Sequence, residues 1–289
     1  MAASDSSPPV QQPVQRPVLR PGWQAVRRDD AHLQVGLDEP LCTVVPDTAE
    51  VRRLLAVLAD PALPWQPPAD LPSRRALDRL DSAGLLVPRP ASALETRLAA
   101  RHGQDARERL SRRARSLLRL DGPSALTEPF EALLRESGLA AVSGQASDEP
   151  TLTMLLSAGP APRPRADELL RHGRPHLVVA GSPTGWTVGP LVVPGLTACL
   201  RCVDATLAER DPRRGVVLAQ QPPVSPALLD PVARIAALAL AAQQTVAFVD
   251  GDAPAVWSAT LSLRAGVPEL VSWRRHPHCG CAWDAVAAQ

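Results

Sequence analysis

The stretch Val192-Val193-Pro194-Gly195-Leu196-Thr197-Ala198-Cys199-Leu200-Arg201-Cys202, answered by His276-Pro277-His278-Cys279-Gly280-Cys281, decides how the rest of the sequence is read. A two-residue spacer lets both sulfurs of a turn converge, and Gly280 permits the tighter turn of the second pair. Four thiolates in two close pairs can meet tetrahedrally around one zinc ion. With four sulfurs the shell is full and leaves no position for water, so Cys199, Cys202, Cys279 and Cys281 are expected to form a structural zinc site. Two disulfides or four unrelated buried thiols are the other readings of these residues. His276 and His278 can replace a sulfur or stand as solvated neighbours. Cys42, alone in a strand pattern, reads as a small buried apolar residue.

Upstream of the first pair the pattern alternates strand and helix. Strands are expected at Ser116–Leu120, Leu139–Val142, Leu152–Ser157 and His176–Ala180, with helices over Thr127–Ser137 and Ala166–His172. Such alternation argues for an α/β fold with a doubly wound parallel sheet. A zinc clip between its middle and its C-terminal part would tie the last strands to that sheet.

Further upstream lies a smaller pattern. Short strand-like stretches at Trp23–Arg28 and His32–Val35 flank Asp29-Asp30, which suits a tight turn, and Leu41–Val45 supplies a third strand. Asp47 or Thr48 can cap a helix carrying Val51, Leu54, Leu55 and Leu58, which stops before Pro61. Ser73 can cap a second helix with Leu77 and Leu80 inward, ending at Gly84 before the apolar run Leu85–Val87. Three strands and two helices in this order outline a small winged-helix (α+β) module. The expected organisation is a disordered tail over 1–18, the module over 19–90, a charged helical linker over 91–115 and the alternating domain over 116–289.

Composition narrows the chemistry. The 289 residues carry a formal net charge of +1 and contain no Lys, Asn or Tyr, so all 31 cationic side chains are Arg. Schiff-base lysines, a phosphate-gripping loop lysine and a catalytic tyrosine are excluded. Near-neutral charge removes the broad electrostatic case for nucleic acid or an anionic membrane. The Pro, Gln and Ser-rich start lacks the apolar core of a secretory signal, and the most apolar segment, Val232–Val249, contains Arg234, Gln243 and Gln244 and reads as a buried helix. A cytoplasmic address is expected, and there thiols stay reduced.

Taken together, the zinc motifs, the strand and Gly-rich turn of His176–Gly189 before them, and the ending His276–Trp283 resemble the zinc-bearing half of the ThiF/MoeB/HesA superfamily, relatives of ubiquitin-activating enzymes. More closely, the chain resembles the cyclodehydratase or leader-peptide-binding proteins of thiazole/oxazole-modified microcin (bacteriocin) pathways. In that branch a winged-helix element that recognises a precursor peptide precedes a ThiF-like, Rossmann-type domain. The resemblance runs from about Leu19 onward. It implies that a ribosomally made precursor peptide adds as a strand to the edge at Leu41, Thr43, Val44 and Val45, beside a second-helix face with Arg74, Arg75, Asp78 and Arg79. It also implies a YcaO-type partner that performs the ATP-dependent cyclisation, and a homodimer, which is usual in the superfamily.

Active members of the superfamily adenylate a carboxylate, using a Gly-rich loop after the first strand. Backbone N–H groups must there approach the phosphates closely while cations offset the charge. In this sequence Ser116–Leu120 is followed by Asp121, Gly122 and Pro123: one glycine remains, Pro123 removes a donor and Asp121 repels phosphate. Val142-Ser143-Gly144 brings no acid for a ribose, and Leu152–Ser157 runs into Ala158-Gly159 where a magnesium-binding Asp is expected. No nucleotide site and no catalytic residue are expected. The competing readings are an active adenylating enzyme and a winged-helix DNA-binding regulator. Against the latter stand the acids Asp29, Asp30, Asp38, Glu39, Asp70, Asp78 and Asp81, which offset the arginines.

Overall fold

The structure, a computed structural model, describes residues 16–143, 149–222, 224–264 and 267–281. The chain divides into two compact units at Leu110/Ser111.

The N-terminal unit opens on β1 (Pro17–Leu19), followed by β2 (Ala25–Arg27), β3 (His32–Val35) and β4 (Thr43–Pro46). These last three form an antiparallel sheet in the order β2-β3-β4, with β4 at an edge. Thr48 caps α1 (Ala49–Ala59) by accepting the Val51 N–H, and Val51, Leu54, Leu55 and Leu58 are buried at the expected helical spacing. The second helix, α2 (Leu71–Ser82), starts earlier than Ser73. Its cap is Asp70, whose carboxylate accepts the Ser73 N–H at 2.7 Å. Carboxylate and hydroxyl are both good caps, and Pro72 in the first turn is what favours the earlier start.

Leu80 is fully buried and Leu77 only partly, while Ala76 takes the remaining inward position. Strand β5 (Leu86–Pro88) pairs antiparallel with β1. Arg16 to Val18, expected within the tail, therefore belong to this unit: Val18 is buried, and the Arg16 guanidinium donates to the carbonyls of Val57, Asp60 and Pro61 at the end of α1. A three-residue strand is too short to show periodicity. Residues 1–15 of the expected tail lie outside the described residues.

The expected linker is two helices, α3 (Ala93–His102) and α4 (Ala106–Arg115), broken by a single turn at Gly103–Asp105. Ser92 caps α3 by accepting the Glu95 N–H, and the Glu95 carboxylate reaches back to accept the Ala91 N–H.

In the second unit, β6 (Leu117–Asp121), α5 (Ser124–Glu136), β7 (Ala140–Ser143), β8 (Leu152–Ser157), α6 (Arg163–Arg171) and β9 (His176–Ser182) follow the alternation read from the sequence. Then the pattern breaks. Residues 183–184 form a hairpin turn into β10 (Gly185–Val192), antiparallel to β9. After α7 (Leu200–Ala208), α8 (Arg214–Ala219) and α9 (Pro231–Asp250), β11 (Ala259–Leu263) and β12 (Glu269–Ser272) extend the sheet antiparallel. The seven strands run β12-β11-β10-β9-β8-β6-β7, parallel only from β9 to β7. The doubly wound parallel sheet thus accounts for four strands, and the sheet as a whole is mixed, because β9 to β10 is a tight turn rather than a helical crossover.

Both faces are covered. Leu152, Met154, Leu156, Leu177 and Val179 pack with Phe130 and Leu134 of α5 and with Ala237, Leu238 and Ala241 of α9. The alternate residues Leu155 and Val178 pack on the opposite face with Ala166 and Leu169 of α6 and Leu200 of α7. Helix α9 is long and apolar enough to cross a membrane, but 39% of its apolar window is buried within this core. His176 opens β9, where the expected strand begins, and is buried; burial lowers its pKa, and its Nδ1 lies 3.0 Å from the Arg174 carbonyl.

Candidate metal centre and strand edge

The four cysteines of the two motifs converge. Their sulfurs all lie within 4.8 Å of one another, with Cys199 and Cys202 3.7 Å apart, Cys199 and Cys279 3.4 Å, and Cys202 and Cys281 3.3 Å. A tetrahedral zinc ion with Zn–S bonds of about 2.3 Å sets its sulfurs about 3.8 Å apart, so the cluster has the size of one metal ion. None of these separations approaches the ~2.05 Å of a disulfide, and all five thiols are free.

The local chain explains the convergence. β10 ends on buried Val192, and Thr197 Oγ1 accepts the Val193 N–H at 2.8 Å, folding the Pro194-Gly195 turn. Cys199 is the N-cap of α7, its carbonyl accepting from the N–H groups of Cys202 and Val203. Both sulfurs of the first pair therefore sit on the opening turn of a helix, where the dipole favours thiolate. The second pair sits on a turn closed by the Cys279 N–H to the His276 carbonyl at 3.0 Å, and Gly280 takes φ +77°, the left-handed conformation that a side chain resists.

Cys199 donates its thiol proton to Cys202, which pushes the Cys199 pKa up and holds the Cys202 thiol well below its ordinary value; the His276 backbone N–H also lowers Cys202. Burial pushes Cys279 up to about 12. Zinc would take these sulfurs as thiolates, so binding it would release the protons they carry.

Two supports were not legible in sequence. Ser258 holds φ +53° and uses its hydroxyl to accept the Ala198 N–H at 2.9 Å, while its carbonyl accepts the Trp273 N–H at 2.7 Å. That residue fixes the entry to the first pair against the strand that leads to the second. His276 is no solvated neighbour: it is buried, with Nε2 3.0 Å from Glu209 Oε1 at the end of α7. Cys42 is half-buried rather than buried, and accepts from Gln34 Nε2 at 3.4 Å.

Around the expected degenerate loop, the crevice outside the carboxyl ends of β6 and β8 is present, with a volume of ≈ 570 Å³. It is the switch point of the parallel strands, since the chain leaves β6 for β7 on one side and returns to β8 on the other. Ion pairs line it. Arg165 Nε bonds Asp121 Oδ2 at 2.8 Å and Arg165 Nη1 bonds Glu168 Oε2 at 2.8 Å. Glu168 and then Asp121 raise the Arg165 pKa, and Arg165 in turn lowers that of Glu168. Gly122 has a packing reason: a Cβ there would stand 2.4 Å from the Leu156 carbonyl oxygen. Pro123 caps α5 without a side-chain bond. Gly144, the last residue of the strand end that brings no acid for a ribose, lies outside the described residues.

In the N-terminal unit, the antiparallel ladder shows which groups of β4 are free. The Asp47 N–H bonds the Ala31 carbonyl, and pairing continues as Leu33 with Val45 and Val35 with Thr43. By alternation Val44 directs both its N–H and its C=O away from β3, whereas Pro46 has only a carbonyl to offer. The Val45 side chain is fully buried, so of the four expected edge residues it faces the core; Leu41 packs against the same core. Beside the edge lies a groove of ≈ 520 Å³ whose lining includes Glu39, Cys42, Thr43, Asp78, Arg79 and Ser82. Arg74 and Arg75 are exposed one turn earlier on α2 and do not line it. Arg79 Nη1 donates to the Val44 carbonyl at 3.0 Å.

No family model matches the chain, and no curated protein matches it in sequence. Solved structures do. The structure of the heterocyclase TruD superimposes with a TM-score of 0.69 at 18% identity, covering 93% of this chain and 43% of that one. A heterocyclase in complex with substrate and cofactor gives a TM-score of 0.65 at 16% identity, over 89% of this chain and 38% of that one. This chain therefore spans about two fifths of the length of those heterocyclases. The microcin C7 biosynthetic enzyme MccB in complex with N-formylated MccA gives a TM-score of 0.59 at 12% identity, over 92% of this chain and 99% of that one. With its mixed seven-stranded sheet, the chain thus shares the fold of the heterocyclase TruD and of the microcin C7 biosynthetic enzyme MccB.

Proposed function

We propose that the chain is a leader-peptide-binding scaffold of an azoline- or azole-forming bacteriocin pathway, presenting a ribosomally made precursor to a YcaO-type ATP-dependent cyclodehydratase in the cytoplasm. The observation that carries this reading is the open edge of β4 beside the α2 groove, with Val44 offering an outward N–H and C=O. An extended peptide can add there as a fourth strand, its backbone bonding Val44 and its side chains entering the groove. The MccB neighbour is a complex with a peptide, and the heterocyclase neighbour a complex with its substrate, which supports a peptide as the partner here. On this reading the N-terminal unit acts as a winged-helix recognition element and the four cysteines hold structural zinc.

The second unit acts as a scaffold rather than an adenylating enzyme. Phosphate entering the crevice at β6 would meet Asp121 and Glu168 already paired with Arg165, and Pro123 has no N–H to offer at the start of α5. ATP–pyrophosphate exchange is expected to stay at background with any carboxylate offered. Carboxylate-dependent exchange by the purified chain would overturn this part of the reading.

Val44→Pro tests the edge. The Val44 N–H is not used by β3, and Thr43 before it is already extended, so proline is tolerated in the fold. Losing the one outward donor of the strand is expected to weaken binding of a neighbouring-gene Cys/Ser/Thr-rich peptide about tenfold or more, with an unchanged melting temperature. Unchanged affinity measured by calorimetry would exclude strand addition at β4.

A further inference from the structure

The groove beside β4 has a charge of its own. Glu39 and Asp78 both line it, and neither has an ion-pair partner among the described residues. Among the described residues, the one cation in the lining is Arg79, and its guanidinium is engaged with the Val44 carbonyl. Arg74 and Arg75 stand outside the groove. Two carboxylates thus face a cavity of ≈ 520 Å³ whose single positive group is held on a backbone oxygen. When a peptide N–H takes over that oxygen, Arg79 is released, and two carboxylates against one guanidinium still leave the groove negative. Complementary charge is what such a groove selects.

Resting on the peptide-binding reading of this edge, we infer that the groove selects a peptide with an Arg or Lys side chain within a position or two of the residue that bonds Val44, and that Arg79 guards the edge until that peptide displaces it. The guard has a physical purpose. An unpaired strand edge invites pairing with any extended chain, and a charged side chain laid across it is one of the ways an edge is blunted. Arg79 sets a threshold that a generic strand does not pass, and Glu39 and Asp78 supply the attraction that lets the right one through.

The test uses the full chain and short synthetic peptides alternating Thr and Val, each with one central Arg, Gln or Glu, titrated by fluorescence anisotropy at low and high salt. The Arg peptide is expected to bind about fivefold tighter than the Gln peptide, and the Glu peptide more weakly still, with the spread collapsing at high salt because the pairs are exposed. The double variant Glu39→Gln with Asp78→Asn is expected to bind Arg and Gln peptides equally. Arg79→Ala is expected to tighten all three about threefold by removing the competitor for the Val44 carbonyl.

Binding that Val44→Pro removes, but that shows no preference for Arg or keeps that preference in the double variant, overturns this inference and leaves strand addition standing. Arg79→Ala weakening every peptide overturns the guard. Failure of every peptide to bind the unaltered chain, the neighbouring-gene peptide included, overturns the peptide-binding reading itself.

Discussion

Cys202→Ser is expected to yield a metal-free chain whose melting temperature falls by about 10 °C, and Cys199→Ser, Cys279→Ser and Cys281→Ser are expected to match it. The reason is geometric. A hydroxyl does not replace a thiolate in a four-sulfur shell, and removing one ligand from a closed tetrahedral site releases the ion. Structural zinc contributes about 10 to 16 kcal/mol to the folding of small zinc-finger peptides, which have little other core. Here the ion would join parts of a sheet that already has its own core, so only part of such an amount should appear as stability. A loss of about 3 to 4 kcal/mol, at about 2 to 4 °C for each kcal/mol in a unit of this size, gives the expected fall.

The same variants separate a common site from independent thiols: Cys42→Ser should change neither metal content nor melting. Elemental analysis of the purified protein, paired with calorimetry, decides the matter. A correctly folded, metal-free wild-type chain that melts like its Cys202→Ser variant would sink the zinc assignment.

The second large effect is expected at a pair with no part in binding. Arg113, in the last turn of α4, makes two bonds to Asp250 at the end of α9, at 2.8 and 2.6 Å, and a third to the Ser137 carbonyl at 2.7 Å. The two side chains are 5% and 1% exposed. Asp250→Ala leaves the guanidinium buried without this carboxylate, and Arg113→Ala strips the buried carboxylate of two charged bonds. Either is expected to cost about 3 to 5 kcal/mol. The double variant Arg113→Met with Asp250→Leu is expected to recover most of that, because it removes both desolvated charges and keeps the volume. Urea unfolding monitored by tryptophan fluorescence reads all three. Single variants within about 0.5 kcal/mol of wild type would mean that water reaches this pair.

The contrast between these two sites shows what the sequence disclosed. Cys199-Leu200-Arg201-Cys202 and Cys279-Gly280-Cys281 announce themselves because metal ligation requires particular residues at short spacing, and short spacing survives any fold. Helix α1 was legible for a similar local reason: Thr48 and the apolar run from Val51 to Leu58 lie within one segment.

Arg113 and Asp250 are 137 residues apart, and nothing in either neighbourhood distinguishes them from the other arginines and acids. β1, three residues long, has meaning only through its partner β5. The antiparallel half of the sheet was hidden because a hairpin turn at 183–184 resembles the Gly-rich loop that ends a parallel strand, and both readings begin with the same apolar run. Ser258 and His276 act through backbone geometry and hydrogen bonds to residues distant in sequence, which leave no residue pattern to find.

The cysteine cluster also orders events in time. Cys199 and Cys279 are 80 residues apart, and α8, α9, β11 and β12 all lie between them. During synthesis the first pair emerges on α7 with only half a shell, and by itself would hold a zinc ion weakly through two sulfurs. Full coordination waits until the antiparallel strands have docked and carried Cys279 and Cys281 to the opening turn of α7. Ligation then closes a loop of that length, where a cross-link removes the most freedom from the unfolded chain. With zinc as the ligand, metal uptake would be a late event that marks a completed sheet, and a chain made under zinc starvation would stall with its last two strands unsecured.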